Sequence, residues 1–176
     1  MIRVVDPFTG RQKDTINIGV YIAASPCLSG DMAYFGDYDG TLYCLDIASK
    51  KMVWRIPAGE ESGTILAIPA GGNKEIVVGS EDKYLCCYNV SNGKLLWRFR
   101  TNGSITGSAV VTSTKVLFPG MDGNVYMLGL ADGKKLWSFK AGTPISSSPA
   151  VIKGKFYILT EDGRLLAFAD KTSFKK

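Results

Sequence analysis

Histidine is missing from all 176 residues. That excludes Ser-His-Asp and Cys-His nucleophile systems, His-x-x-x-His zinc sites and Cys-x-x-Cys-His haem attachment within this chain. Four cysteines are present, but no two stand in a Cys-x-x-Cys spacing, which removes the commonest zinc and redox motifs. Apolar runs are short, and none approaches the ~18 residues that a membrane-crossing helix needs. The opening Met1-Ile2-Arg3-Val4-Val5-Asp6 lacks the apolar core of a signal peptide. No segment has a helical period long enough to compete with a strand reading. Gly71-Gly72-Asn73-Lys74 is no phosphate loop, because no helix follows and the Gly-Lys-Ser/Thr element is absent. What the chain does have is 20 Gly, 45% hydrophobic residues and a formal charge of +5, the profile of a globular domain large enough to bury a core.

It also has a repeat. Asp39-Gly40, Asp82-Lys83, Asp122-Gly123 and Asp162-Gly163 recur at intervals of 43, 40 and 40 residues. Trp54, Trp97 and Trp137 keep the same intervals, each 15 residues after its Asp, and Pro26, Pro69, Ala109 and Pro149 stand 13 before it. Within a copy the pattern reads as four strands. In the third they run Ile105 to Val111, Lys115 to Pro119, Asn124 to Gly129 and Lys135 to Lys140, apolar and β-branched runs punctuated by Gly, Asp, Asn and Ser. Asp-Gly supplies the positive φ of a tight hairpin between the second and third strands. Lys83 replaces that glycine in the second copy, which predicts either strain or a different turn there. Four strands every 40 or so residues predict an all-β chain of propeller blades, since a lone four-stranded meander leaves both faces apolar and must stack on neighbours.

The blocks Asp132-Gly133-Lys134-Lys135-Leu136-Trp137, Ser147-Ser148-Pro149-Ala150-Val151 and Asp39-Gly40-Thr41-Leu42-Tyr43-Cys44-Leu45-Asp46 resemble the tryptophan-docking repeat of quinoprotein-like propellers. That class, named for pyrrolo-quinoline quinone, implies a β-propeller of four-stranded antiparallel blades with the tryptophans docked between them. It includes periplasmic alcohol dehydrogenases, a non-enzymatic scaffold lipoprotein of outer-membrane protein assembly, and sensor domains of receptor kinases. One fold with three uses implies no single function, and in style the chain stands nearest the scaffold.

The repeat sets the expected domain plan, a single propeller domain over 1–176. Residues 1–19 form a degenerate strand hairpin, 20–59, 60–103 and 104–142 form full blades, and 143–176 form a last blade lacking its outer strand. Asp6 to Gly19 aligns with Asp46 to Gly59, with Asp14 where Trp54 would be. Residues 12–17 are therefore expected to supply the missing fourth strand of the last blade, within one ring or across chains. Four repeats make a partial propeller or half of an eight-blade disc.

Repetition also decides how the chemistry-bearing residues read. Asp39, Asp82, Asp122 and Asp162 occupy one turn position in every blade, which calls for turn structure rather than metal binding or acid catalysis. Trp54, Trp97 and Trp137 read as blade-to-blade packing rather than a ligand box. Cys86-Cys87 invites comparison with the adjacent-cysteine disulfide of the quinoprotein dehydrogenases, but here the pair lies in a third strand. Alternation there sends the two thiols to opposite faces, so the cysteines read as small apolar filler. The recurrent Lys and Arg at 50, 51, 55, 94, 98, 100, 134, 135 and 140 fall at the fourth strand and the turn before it. Lysine on an edge strand discourages sheet-to-sheet aggregation, and charge spread around a rim is not a nucleic-acid groove. Glu60 and Glu61, in the acidic connection Pro57 to Thr64, are the candidate partner contacts, since connecting loops carry function on a rigid frame.

The expectation is a non-catalytic scaffold or binding module, with no catalytic, cofactor or metal residue assigned. Its partner is a protein, with self-association completing a ring and neither nucleic acid nor direct membrane insertion. The alternatives are a fragment of a quinone-dependent alcohol dehydrogenase or a ligand-sensing piece of a larger receptor. The resemblance implies the cell envelope, while unpaired cysteines and the absent leader suit a reducing interior.

Overall fold

The computed structural model describes residues 1–19, 21–22, 24–57, 63–71 and 74–169. Among them all regular structure is strand. The hairpin is β1 (Ile2–Val5) and β2 (Gln12–Ile16). Blade 1 is β3 (Cys27–Ser29), β4 (Met32–Gly36), β5 (Leu42–Asp46) and β6 (Lys51–Ile56). Blade 2 is β7 (Ala70–Gly71), β8 (Glu75–Gly79), β9 (Tyr84–Asn89) and β10 (Leu95–Arg100). Blade 3 is β11 (Val110–Val111), β12 (Lys115–Pro119), β13 (Asn124–Gly129) and β14 (Lys135–Lys140). The last blade is β15 (Ala150–Ile152), β16 (Lys155–Leu159) and β17 (Leu165–Ala169). Each sheet is an antiparallel meander in sequence order.

Turn chemistry fixes these meanders. Gly40, Gly123 and Gly163 hold φ of 86°, 77° and 84° between the second and third strands, and Lys83 adopts 72° at the same place. The second blade thus keeps the turn and accepts the strain of a side chain in the left-handed region. Between the third and fourth strands, one bulge recurs at Val4/Val5, Cys44/Leu45, Leu95/Trp97 and Met127/Leu128. The hairpin shares it, so β1 and β2 are a third and a fourth strand without the first two.

First strands lie beside one another, β7 touching both β3 and β11, and so form the inside of the arc. β11 is shorter than the sequence pattern predicts, only Val110–Val111. The residues before it bond sideways instead: Ile68 N donates to Ser108 Oγ (2.8 Å) and Ser108 N donates to Ser148 Oγ (3.0 Å). A ladder within the blade and a bond to the next blade compete for the same amide, and the neighbour wins.

The cores lie between sheets. Tyr34, Leu42 and Cys44 of blade 1 meet Ile76 and Val78 of blade 2. Val77, Leu85 and Cys87 meet Val116, Phe118, Tyr126 and Leu128, and Leu117 and Val125 meet Ile158, Phe156, Leu166 and Phe168. Ile2, Ile16, Ile18 and Ile22 cover the other face of blade 1 at Ala33, Phe35, Tyr43 and Leu45. Burying both faces of each sheet is what a blade requires, and it explains the continuous apolar runs.

One expectation is corrected within the chain. Residues 12–16 do not complete the last blade: β2 pairs with β1, and among the described residues the last sheet has three strands, β15, β16 and β17. Local hairpin closure and the isoleucine packing on blade 1 hold β2 where it is.

Candidate interaction surface

The turn aspartates are bound into the frame. Asp122 accepts from Asn124 N (3.1 Å) at Oδ1, and from Tyr126 Oη (2.6 Å) and Asn102 N (3.0 Å) at Oδ2. It thereby ties its own turn to the strand after it, β13, and to the connection entering its blade. Asp82 accepts from Tyr84 N (2.9 Å) and from the Ser80 hydroxyl. Asp162 accepts from the Thr160 hydroxyl and from Arg164 Nε (2.7 Å), which hold its carboxyl below the usual carboxylate range. In blade 1 the role belongs to Asp37, not Asp39. Asp37 is 1% exposed and accepts from Thr41 N (2.8 Å) and Tyr43 Oη (2.8 Å). Burial first, and the facing carboxylate next, push the phenols of Tyr43 and Tyr126 up. The missed signal was tyrosine: Tyr43 and Tyr126 share one repeat position, each stacked on a phenylalanine, Phe35 and Phe118.

Two tryptophans dock on the next blade. Trp54 Nε1 donates to Val90 O (2.9 Å), and Trp97 Nε1 donates to Leu130 O (2.7 Å). Each ring lies over a turn glycine: a Cβ on Gly93 would stand 3.0 Å from Trp54, and one on Gly133 would stand 2.6 Å from Trp97. Trp137 packs on Phe156 and Phe168 at ring separations of 6.1 and 5.7 Å; the residue in register with Val90 and Leu130 is Asp170, outside the described residues. At the hairpin the same seam carries Asp14, ion-paired with Lys50. Lys50 sits where Gly93 and Gly133 sit and holds φ 56° against their 69° and 66°. The Lys50 ammonium, with Thr15 N, keeps the Asp14 carboxyl low.

All four cysteines are free. Cys86 and Cys87 pair across to Arg98 and Trp97 on β10, and as neighbours in a strand they project to opposite faces. Burial pushes their thiols up to about 11 and about 12, the behaviour of inert filler. Cys27 and Cys44 flank Tyr34 on opposite sides, two strand spacings or about 9.5 Å apart, too far for a disulfide. Among the described residues no three His, Cys, Asp or Glu side chains converge as a metal site. A quinone with its calcium ion would need a carboxylate set and a planar slot, and these donors do not fit that group.

The candidate partner contacts Glu60 and Glu61 lie outside the described residues. On the rim, Arg98 and Arg100 lie over the Tyr84 ring at 5.0 and 5.8 Å. The conspicuous surface is the last blade's far face, where Leu159 and Leu165 stand 50% and 67% exposed. Apolar residues so placed mark an interaction site when they are contiguous.

Sheets stacked face to face around an inner row of first strands define a β-propeller of four-stranded antiparallel blades. The chain belongs to the family described as outer membrane protein assembly factor BamB, whose pattern matches residues 1–175. Among solved structures it is similar to BamB from Moraxella catarrhalis, at 19% identity and a TM-score of 0.80 over 94% of this chain and 55% of that one. It is similar to the computationally designed Ika4 protein at 15% identity and a TM-score of 0.77, over 87% of this chain and 93% of that one. The quinohemoprotein alcohol dehydrogenase from Comamonas testosteroni matches at 15% identity and a TM-score of 0.70, over 80% of this chain and 29% of that one. The chain thus spans about half the length of the Moraxella protein. No curated protein matches it in sequence.

Proposed function

We propose that the chain is a non-catalytic propeller scaffold that presents blade edges and the connections between blades to a protein partner in the cell envelope. The observation that carries this reading is the employment of the repeat's reactive side chains. Asp82, Asp122 and Asp162 cap turns, with Asp37 doing so in blade 1; Trp54 and Trp97 dock blades; Cys87 lies in a seam. Such a frame holds shape and leaves recognition to its loops. Glu60 and Glu61, in the connection between blades 1 and 2, are the proposed contacts for a basic segment of that partner. The family supports the envelope location, and the four free thiols fit a frame that relies on packing rather than disulfides.

The rival reading is a piece of a quinone-dependent dehydrogenase, favoured by the likeness to the Comamonas enzyme. Adding pyrrolo-quinoline quinone with calcium discriminates the two. The scaffold reading expects no saturable absorbance change, no shift in melting temperature, and no alcohol oxidation with an artificial electron acceptor. A saturable shift accompanied by turnover would overturn it.

A further inference from the structure

Matched positions in the seams carry unequal aromatic bulk. In blade 3, Phe118 and Tyr126 stack at a ring separation of 5.1 Å and both meet Phe99 of blade 2 edge-on. In blade 1, Phe35 and Tyr43 stack at 5.3 Å. Each of these tyrosine hydroxyls donates to a carboxylate of its own turn, Tyr126 to Asp122 Oδ2 and Tyr43 to Asp37 Oδ2. Blade 2 has Val78 and Cys86 at the two stacked positions, and Ile56 of blade 1 stands where Phe99 stands. The seam between blades 1 and 2 therefore lacks the three rings that fill the seam between blades 2 and 3.

The chain does not refill that space. A cavity with about 60 Å³ of room for the centres of water molecules is lined by Ile56, Val78 and Cys86 themselves. By that measure one water needs ~10–15 Å³, so the cavity has room for about four waters, the bulk of a single small ring. Tyr88, at the position of Leu45 and Leu128, hydrogen-bonds the Cys86 thiol and forms another part of the wall. The polar wall is Asp82 with Ser80. Asp82 spends Oδ1 on Tyr84 N (2.9 Å) and the Ser80 hydroxyl. Among the described residues no donor reaches its Oδ2, the atom that in Asp122 takes the Tyr126 hydroxyl. Water alone would serve the carboxylate and leave Ile56 and Val78 wetted, whereas a ring bearing one hydroxyl serves both walls.

We propose that the seam between blades 1 and 2 is a binding site for a small monocyclic phenol, its ring packed against Ile56, Val78 and Cys86 and its hydroxyl donating to Asp82 Oδ2. The next seam supplies the template, with the Tyr126 ring in the role of the ligand and Asp122 in the role of Asp82. Burial and a facing carboxylate push the phenols of Tyr43 and Tyr126 up, so a phenol bound in this way stays neutral and keeps the proton that it donates. The site goes beyond the scaffold reading and does not rest on it: a chain that held no protein partner would sink that reading and leave this one standing.

Titration calorimetry of the whole chain with p-cresol, which is the tyrosine side chain as a free molecule, tests it. Saturable binding of one molecule per chain is expected, with a melting temperature that rises as p-cresol is added. Toluene offers the same ring without the hydroxyl, and is expected to bind about tenfold more weakly for want of one hydrogen bond to a charged acceptor. Cys86→Tyr supplies the ring from the chain itself, and Val78→Phe fills the pocket from the neighbouring strand; each is expected to abolish p-cresol binding. Two variants are used so that one that fails to fold leaves the other to decide. A natural chain that shows no saturable binding overturns the proposal. So does toluene binding as tightly as p-cresol, or a folded variant that keeps full affinity.

Discussion

The seam between the hairpin and blade 1 and the seams between whole blades place different chemistry at one position. Blades 1 and 2 each send a tryptophan over a glycine of the next blade, Trp54 over Gly93 and Trp97 over Gly133. The hairpin sends Asp14 to Lys50, which holds the glycine's left-handed conformation. The contrast teaches that the docking residue and the turn it meets are a matched pair. An indole leaves no room for a Cβ beneath it, so glycine must follow. A short carboxylate leaves that room and needs a cation, so a lysine can pay the conformational cost. The hairpin is therefore a half-blade that carries an exposed ion pair at the position where its neighbours carry an indole, while its isoleucines supply the burial.

The sharpest way to widen that contrast is Trp97→Ala. It removes the half-buried ring and the bond to Leu130 O, and a loss of about 3 kcal/mol is expected in urea denaturation. Next comes Gly133→Lys, which copies the hairpin's residue into a tryptophan seam. The new Cβ would lie 2.6 Å from Trp97 at a φ of 66°, and a loss of about 2 kcal/mol is expected from left-handed strain together with overpacking. A lower denaturation midpoint at unchanged slope is the readout. The smallest effect belongs to acid. The folded Asp14 carboxyl lies below its ordinary value of 3.8, so its contribution is present above that value and fades as pH falls through the folded one. Hydrogen exchange in β1 and β2 is expected to quicken below about pH 4 while β10 and β13 stay protected, and added salt should act in the same direction.

Much of this was legible in the sequence, for a physical reason: a repeat states each rule several times. β12 and β13 run over the residues that the pattern marks out because both of their faces are covered, and β14, exposed along its length, follows as the edge strand paired with β13. What escaped depends on neighbours. β11 is short because Ser108 N bonds to Ser148 of the next blade, a partner that no pattern within one blade contains. Asp39 holds the repeat position but Asp37 binds Tyr43 Oη and Thr41 N in blade 1; blade 3 has Gly120 in the register of Asp37, and there Tyr126 Oη reaches Asp122. Lys50 as the partner of Asp14 requires knowing that positions in adjacent blades meet. Leu165 looks in sequence like Leu42, Leu85 and Val125, yet it is exposed where they are buried, because among the described residues no further sheet lies beside it.

The matched-pair claim is tested most directly by a double-mutant cycle at the hairpin seam. Asp14→Trp alone sets an indole against the Lys50 side chain, and Asp14→Trp with Lys50→Gly rebuilds the lock that Trp97 and Gly133 form. Thermal melts of the four proteins give the coupling between the two sites. The account expects Lys50→Gly to stabilise the Asp14→Trp chain well beyond any effect it has on the natural chain. Equal effects of Lys50→Gly in both backgrounds would contradict it.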